Sequence, residues 1–190
     1  MGIYRTLYRS EAPLYLEHLL RLDSDSRYAR FTGLMSDNAV RKYCEEIDWR
    51  SLTIIGFFCD GKLRGVAEIR YEPRLFPTSA ELAFSVERGF QSTRVGTMLM
   101  GRALDFLANR GIGIAHIVCM LDNRRMQRLA LKHRCFIQAS RGEVFMTVTV
   151  PKFNPALLLG EWLDGYLGWL VSSWDVAAPL MLKGPVSVKR

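Results

Sequence analysis

The stretch Gln91-Ser92-Thr93-Arg94-Val95-Gly96-Thr97 stands between a β-rich run and a run with helical apolar spacing. A turn that leads into a helix leaves the first backbone N–H groups without partners. The helix dipole adds partial positive charge there, so a pyrophosphate suits the position. Gly96 lets a ligand approach the main chain, and Arg88, Arg94 and Arg102 can add charge. The residues alone leave two readings open: an anion site, or an ordinary strand-to-helix loop with solvated arginines. Metal chemistry has less support. Cys44, Cys59, Cys119 and Cys135 form no CxxC pair, and His18, His116 and His133 make no ligand spacing with them. Cys119 and Cys135 have no histidine at useful spacing, so buried structural thiols are expected there and not nucleophiles.

The elements around this stretch follow from periodicity. AELAFSVE (80–87) alternates as a strand, with Glu81, Ala83 and Ser85 on one face and Leu82, Phe84 and Val86 on the other. Val95, Met98, Leu99, Ala103, Phe106 and Leu107 form the stripe of a helix over 95–109, ended by Gly111 and Gly113. IAHIVCML (114–121) reads as a buried strand and Asn123 to Arg134 as a basic helix. Upstream, the pattern predicts a strand over 3–9, a helix over 11–22 with Ser10 as N-cap, and a helix over 37–47 preceded by Ser36. Asp60-Gly61 between two β-rich runs, 51–59 and 63–71, is a hairpin signal. A closing hairpin is expected over 136–150. Segments 24–38 and 72–79 read as loops that shape an acceptor pocket. The fold class is α+β (mixed α/β), with helices against a mostly antiparallel sheet.

Length and composition agree with one domain and an appendage: 190 residues, 49% apolar and 24% charged. The boundary is drawn between 1–150 and 151–190. The second segment carries three of the four tryptophans, and its acids and glycines argue against a membrane span. Packing or homodimerisation is expected of it. There is no continuous apolar leader, and the thiols read as reduced, which points to a cytoplasmic protein. Lys and Arg exceed Asp and Glu by 26 to 19, a net +7. That balance favours anionic partners and disfavours polycationic substrates. Arg124, Arg125, Arg128, Lys132 and Arg134 could serve nucleic acid, but no aromatic residues interleave with them, so a solvated face is expected.

The residues AELAFSVERGFQSTRVGTMLMGRALDFLANRGI, followed by HIVCMLDNRRMQRLALKH, resemble the GNAT superfamily of acyl-CoA-dependent N-acyltransferases. The first segment is similar to the family's strand, pyrophosphate loop and helix, and the second to its later strand and helix. The wording is nearest to the acetyltransferase domains of bacterial protein-lysine acetyltransferases. The likeness covers the chain from about 36 to 150.

The resemblance implies acetyl-CoA as acyl donor, no metal, and an amine-bearing acceptor, either protein lysine or a small molecule. Gln91, Ser92, Thr93, Arg94, Val95, Gly96 and Thr97 would wrap the pyrophosphate. Phe84, Ser85 and Val86 would pair with the pantetheine arm as an added strand does. Asn123 would hydrogen-bond that arm, and Met126 would pack near it. The implied reaction is direct attack of a neutral amine on the thioester, with a base taking the proton and a main-chain N–H polarising the carbonyl. Glu81 is the first candidate base and Glu68, on the preceding strand, the second. A carboxylate near its reference pKa of about 4.3 would need burial or a water relay for that task.

The sequence departs from the family pattern at three places. Arg94 and Arg134 stand where glycines are usual, and Ala130 takes the place of a tyrosine that protonates the thiolate in many members. An acyl-CoA-binding sensor without catalysis is therefore the alternative reading, and a basic nucleic-acid-binding domain a third.

Overall fold

The computed structural model describes residues 2–71 and 78–151. One seven-stranded sheet organises them, in the order β1-β2-β3-β4-β5-β7-β6. The strands are β1 (Ile3–Thr6), β2 (Leu52–Cys59), β3 (Lys62–Tyr71), β4 (Ser79–Val86), β5 (Ile114–Met120), β6 (Phe136–Ser140) and β7 (Glu143–Thr149). Every neighbouring pair is antiparallel except β4 and β5. The helices are α1 (Ala12–Arg21), α2 (Ser24–Phe31), α3 (Asp37–Glu45), α4 (Val95–Asn109) and α5 (Arg124–Lys132). The chain thus has the expected mixed α/β fold. No described helix is long and apolar enough to cross a membrane.

Local chemistry accounts for most boundaries. Asp60 and Gly61 turn the β2–β3 hairpin with φ of 52° and 68°, the pair of positive values that a two-residue turn of this hand requires. Ser36 caps α3, its hydroxyl accepting from Ala39 N–H at 3.3 Å. α1 starts differently from expectation. Ser10 lies within a short 3-10 turn, Arg9–Glu11, and Glu11 is the N-cap. The Glu11 carboxylate is occupied by the Arg5 guanidinium at 2.6 and 2.7 Å, and by Tyr8 N–H at 3.0 Å.

α2 is the larger correction, because 24–38 was expected to be loop. Only Tyr28, Ala29 and Phe31 are apolar in SDSRYARF, too few for a helical stripe. The overlooked signal was Asp23, whose side chain accepts from Ser26 N–H at 2.9 Å as an N-cap.

The sheet has two cores. On one face α4 and Ala130 of α5 cover Ala67, Ile69, Leu82, Ala115, Ile117 and Met146. On the other, α1 and α3 cover Leu52, Ile54, Leu63 and Val66, with Phe31 of α2 packed against them. Gly65 lets α4 lie close to the sheet. A methyl group there would stand 3.1 Å from Val95 Cγ1 and 3.3 Å from Leu99 Cδ1.

β5 reads in the sequence as a buried strand, but only one of its faces is buried. Ala115, Ile117 and Cys119 enter the α4-side core, whereas Ile114 is 42% exposed and His116 faces outward. The Trp/Leu-rich extension assigned to 151–190 lies, beyond Pro151, outside the described residues, as does most of the 72–79 loop.

Candidate functional site

β4 and β5 pair only at Ser79–Ile114, Ala80–Ala115 and Glu81–His116. Beyond Glu81 the two strands part. Glu87 N–H donates to Arg64 O on β3 at 2.9 Å, which fixes the alternation along β4. The main-chain groups of Ser85 and Ala83 turn to β3, and those of Phe84 and Val86 turn to the gap that β5 leaves. A free strand edge therefore faces an open groove of about 480 Å³.

Three further elements close this groove. Ser92, Arg94, Gly96 and Thr97 line it from the loop and first turn of α4. The first helical bond of α4 runs from Met98 N–H to Arg94 O at 3.0 Å, so the N–H groups of Val95, Gly96 and Thr97 have no helical partner. No side chain caps them. Added to the dipole, they make this turn chemically suited to an anion. A methyl group at Gly96 would stand 3.6 Å from Leu129 Cδ2, another lining residue, and so would occupy the space between α4 and α5.

Asn123 and Met126 line the groove from α5. The Asn123 side-chain oxygen accepts from Met126 N–H at 3.0 Å. This leaves its NH2 group as the end able to meet a ligand. Arg125, Arg128 and Lys132 also line the groove, so the basic helix face is part of this wall as well as of the solvated surface. α2 supplies the remaining wall through Asp25, Ser26 and Arg30, none of which the apolar periodicity marks as helical.

Gln91 braces the mouth. Its amide nitrogen donates to Ser26 Oγ and to Val86 O, each at 2.9 Å, and its oxygen accepts from Arg125. One side chain thus joins α2, β4 and α5. Two expected loop residues turn elsewhere. Thr93 Oγ1 bonds Phe90 O, and the Val95 side chain is buried in the α4-side core. Both can contribute only main-chain groups. Arg102 stacks over the Tyr4 ring at 5.0 Å and does not line the groove.

Ser92 and Arg94 have φ of 62° and 70°. Arg94 therefore holds the left-handed conformation that favours glycine, and it lines the groove. Arg134, after α5, is also left-handed at φ 56°. Ala130 is fully buried beneath α5, so no thiolate-protonating group can project from that position as it stands.

The two candidate carboxylates meet different fates. Glu81 is exposed at the point where the strands part, in register with Arg70 on β3 and His116 on β5. Glu68 is on the same face but only 2% exposed. It accepts from Tyr15 of α1, from Arg30 of α2, and from Tyr43 of α3 at 2.7 Å. Burial works against its charge, but the Arg30 ion pair and the two phenols outweigh it and hold the carboxyl below its usual range. Neither Glu68 nor Glu81 lines the groove. Glu68 fastens three helices to the sheet. Among the described residues, no three His, Cys, Asp or Glu side chains gather as a metal site.

The family model described as acetyltransferase (GNAT) family matches residues 16–134. No curated protein matches the sequence. Among solved structures, the chain is similar to the GNAT domain of S. lividans PAT, at 16% identity over 77% of this chain and 89% of that one, with a TM-score of 0.66. It is similar to PaiA N-acetyltransferase from Thermoplasma acidophilum in complex with coenzyme A, at 15% identity over 78% and 99% of the two chains, with a TM-score of 0.62. The ribosomal-protein-S18-alanine N-acetyltransferase from Escherichia coli gives 14% identity over 82% and 97%, with a TM-score of 0.62. These likenesses are of fold.

Proposed function

The chain belongs to the GNAT acetyltransferase family, and on that premise we propose that it moves an acetyl group from acetyl-CoA to a primary amine by direct attack. The observation that carries this reading is the parting of β4 from β5 after Glu81, which opens a strand edge beside an uncapped helix start. Bound acetyl-CoA would supply the thioester carbonyl that the amine attacks.

The residues divide the work. The N–H groups of Val95, Gly96 and Thr97, with the Gln91–Arg94 loop, hold the pyrophosphate. Arg125, Arg128 and Lys132 add positive charge along the same ligand, which favours this use of the basic helix over nucleic-acid binding. Phe84 and Val86 pair with the pantetheine amides as a strand would. The Val86 carbonyl is already shared with Gln91, so Phe84 carries the firmer pairing. Asn123 offers its NH2 group to the arm, and Met126 packs beside it. Glu81 takes the amine proton through water, since it is exposed and lies just before the opening.

The acceptor is a protein amine in this reading, with lysine first and a small-molecule amine as the rival. The similar E. coli enzyme is a ribosomal-protein-S18-alanine N-acetyltransferase, which supports a protein acceptor. A cytoplasmic setting and a homodimer through 151–190 belong to the same proposal. Calorimetry with coenzyme A and a thiol-release assay over peptide and small-molecule amines test it. Binding with amine-dependent thiol release is expected. Arg94, left-handed and in the groove wall, favours a second reading, an acyl-CoA sensor. Binding without release for any amine would select that one.

A further inference from the structure

Direct transfer leaves one set of groove-side groups unused. Ser85, on β4, lines the groove and is 6% exposed. Its Oγ lies 2.9 Å from Nε2 of His18, a fully buried α1 residue. Nδ1 of the same ring lies 3.4 Å from Glu87 Oε1. Glu87 is in turn gripped by Arg21 at 2.9 Å and by Arg64 at 2.7 Å.

The order of protons in this chain follows from its acid end. Burial pushes the Glu87 pKa up, but hydrogen bonds from His18, Arg64 and Arg21 outweigh it and bring it to about 2. An ionised carboxylate only accepts, so Nδ1 carries the ring proton and Nε2 accepts from the Ser85 hydroxyl. Burial lowers the His18 pKa and keeps the ring neutral at pH 7. A hydroxyl, a neutral imidazole and an orienting carboxylate in sequence are the parts of an activated nucleophile. With Phe84 carrying the pantetheine pairing, the groove-facing N–H of Val86 next to the serine can receive charge that develops on a carbonyl oxygen.

We propose that Ser85, His18 and Glu87 form a nucleophilic relay that gives the protein a second activity, acyl-CoA hydrolysis through an acyl-serine when no amine is bound. The inference rests on the groove being the coenzyme site. Ser85 Oγ bonds to the thioester carbon while His18 Nε2 takes the hydroxyl proton. The carbon–sulfur bond breaks, and His18 returns that proton to the departing thiolate. Water then attacks the ester carbon, His18 accepts a proton from it and passes it to Ser85 Oγ as the ester bond breaks. The net change is thioester plus water to carboxylic acid plus thiol, with no redox partner.

The full chain is incubated with acetyl-CoA and no amine, quenched in acid, and examined by intact mass and peptide mapping. Thiol release is followed in parallel, and calorimetry measures coenzyme A binding. One acetyl group on Ser85, removed by hydroxylamine, is expected. Ser85→Ala should lose the adduct and lower amine-independent thiol release about 100-fold, and His18→Gln should do the same. If the wild-type protein binds coenzyme A but carries no acetyl at Ser85, the relay is refuted and the groove reading stands. If coenzyme A does not bind, both fall. The wild-type adduct decides the question even if a variant fails to fold.

Discussion

One face of the sheet is built in two ways. Under α1–α3 the β2–β4 half is sealed, and its polar groups are locked in pairs: Glu68 with two phenols and Arg30, Glu87 with two guanidiniums and His18. On the β5–β7–β6 half, α2 reaches β5 and the same face is otherwise largely open among the described residues. Phe136 is 71% exposed and Phe145 44%, and His116 reaches only Thr147 at 3.3 Å. Glu81 stands at the seam. Carboxylates two strand positions from one another's partners, Glu68 opposite Ala83 and Arg70 opposite Glu81, thus differ in task through what lies above them. Covering makes a carboxylate a fastener. Leaving it open, where β4 and β5 part, leaves it in contact with water.

The contrast can be broken most severely at Glu68. Glu68→Ala removes one member of a buried pair and strands the Arg30 charge, which costs about 3–5 kcal/mol. In a domain of this size that lowers Tm by roughly 6–20 °C, as thermal melts would show. Glu81→Gln should act in the opposite sense. An amine-dependent kcat/KM about 100-fold lower is expected, with folding stability within about 0.5 kcal/mol. Equal loss of stability in the two variants would erase the distinction between the halves.

Acid sharpens the comparison because the sealed half holds His18 and Glu87, both shifted downward. Burial lowers the His18 pKa beneath 6.5, so the unfolded chain takes up that proton first, and stability declines as pH falls below that value. Glu87, ordinarily near 4.5, is held to about 2, so its contribution is complete above 4.5 and vanishes as pH falls toward 2. Melting across this range should show Tm falling in both windows, and Glu87→Gln should flatten the lower one. Arg94→Gly relieves a left-handed side chain at the groove and should stabilise by about 1 kcal/mol in a urea titration. Phe145→Thr, on the uncovered half, should change stability by no more than about 0.5 kcal/mol. A larger loss there would mean that the face is covered.

The elements with strong periodicity were legible: β4 and α4 by their apolar spacing, α5 by its Asn123 start, the β2–β3 hairpin by Asp60-Gly61. α2 was not, because its apolar residues are too few to form a stripe and only the Asp23 cap marks it. Alternation placed Glu81 and Ser85 on one face, but strand parity says nothing of which half of that face a helix covers. The meeting of His18 with Ser85 spans 67 positions. No spacing rule connects an α1 histidine with a β4 serine; only the packing of α1 on the sheet does.

The absent side chain at Gly65 reaches further than its own strand. Because β3 presents bare backbone to Val95 and Leu99, the seat of the turn proposed to bind phosphate is gauged from beneath by a single missing carbon. An alanine there would make its neighbours give way by a few tenths of an ångström. On the proposed reading, that small lift would detune nucleotide capture while every residue assigned to the nucleotide stayed as it is.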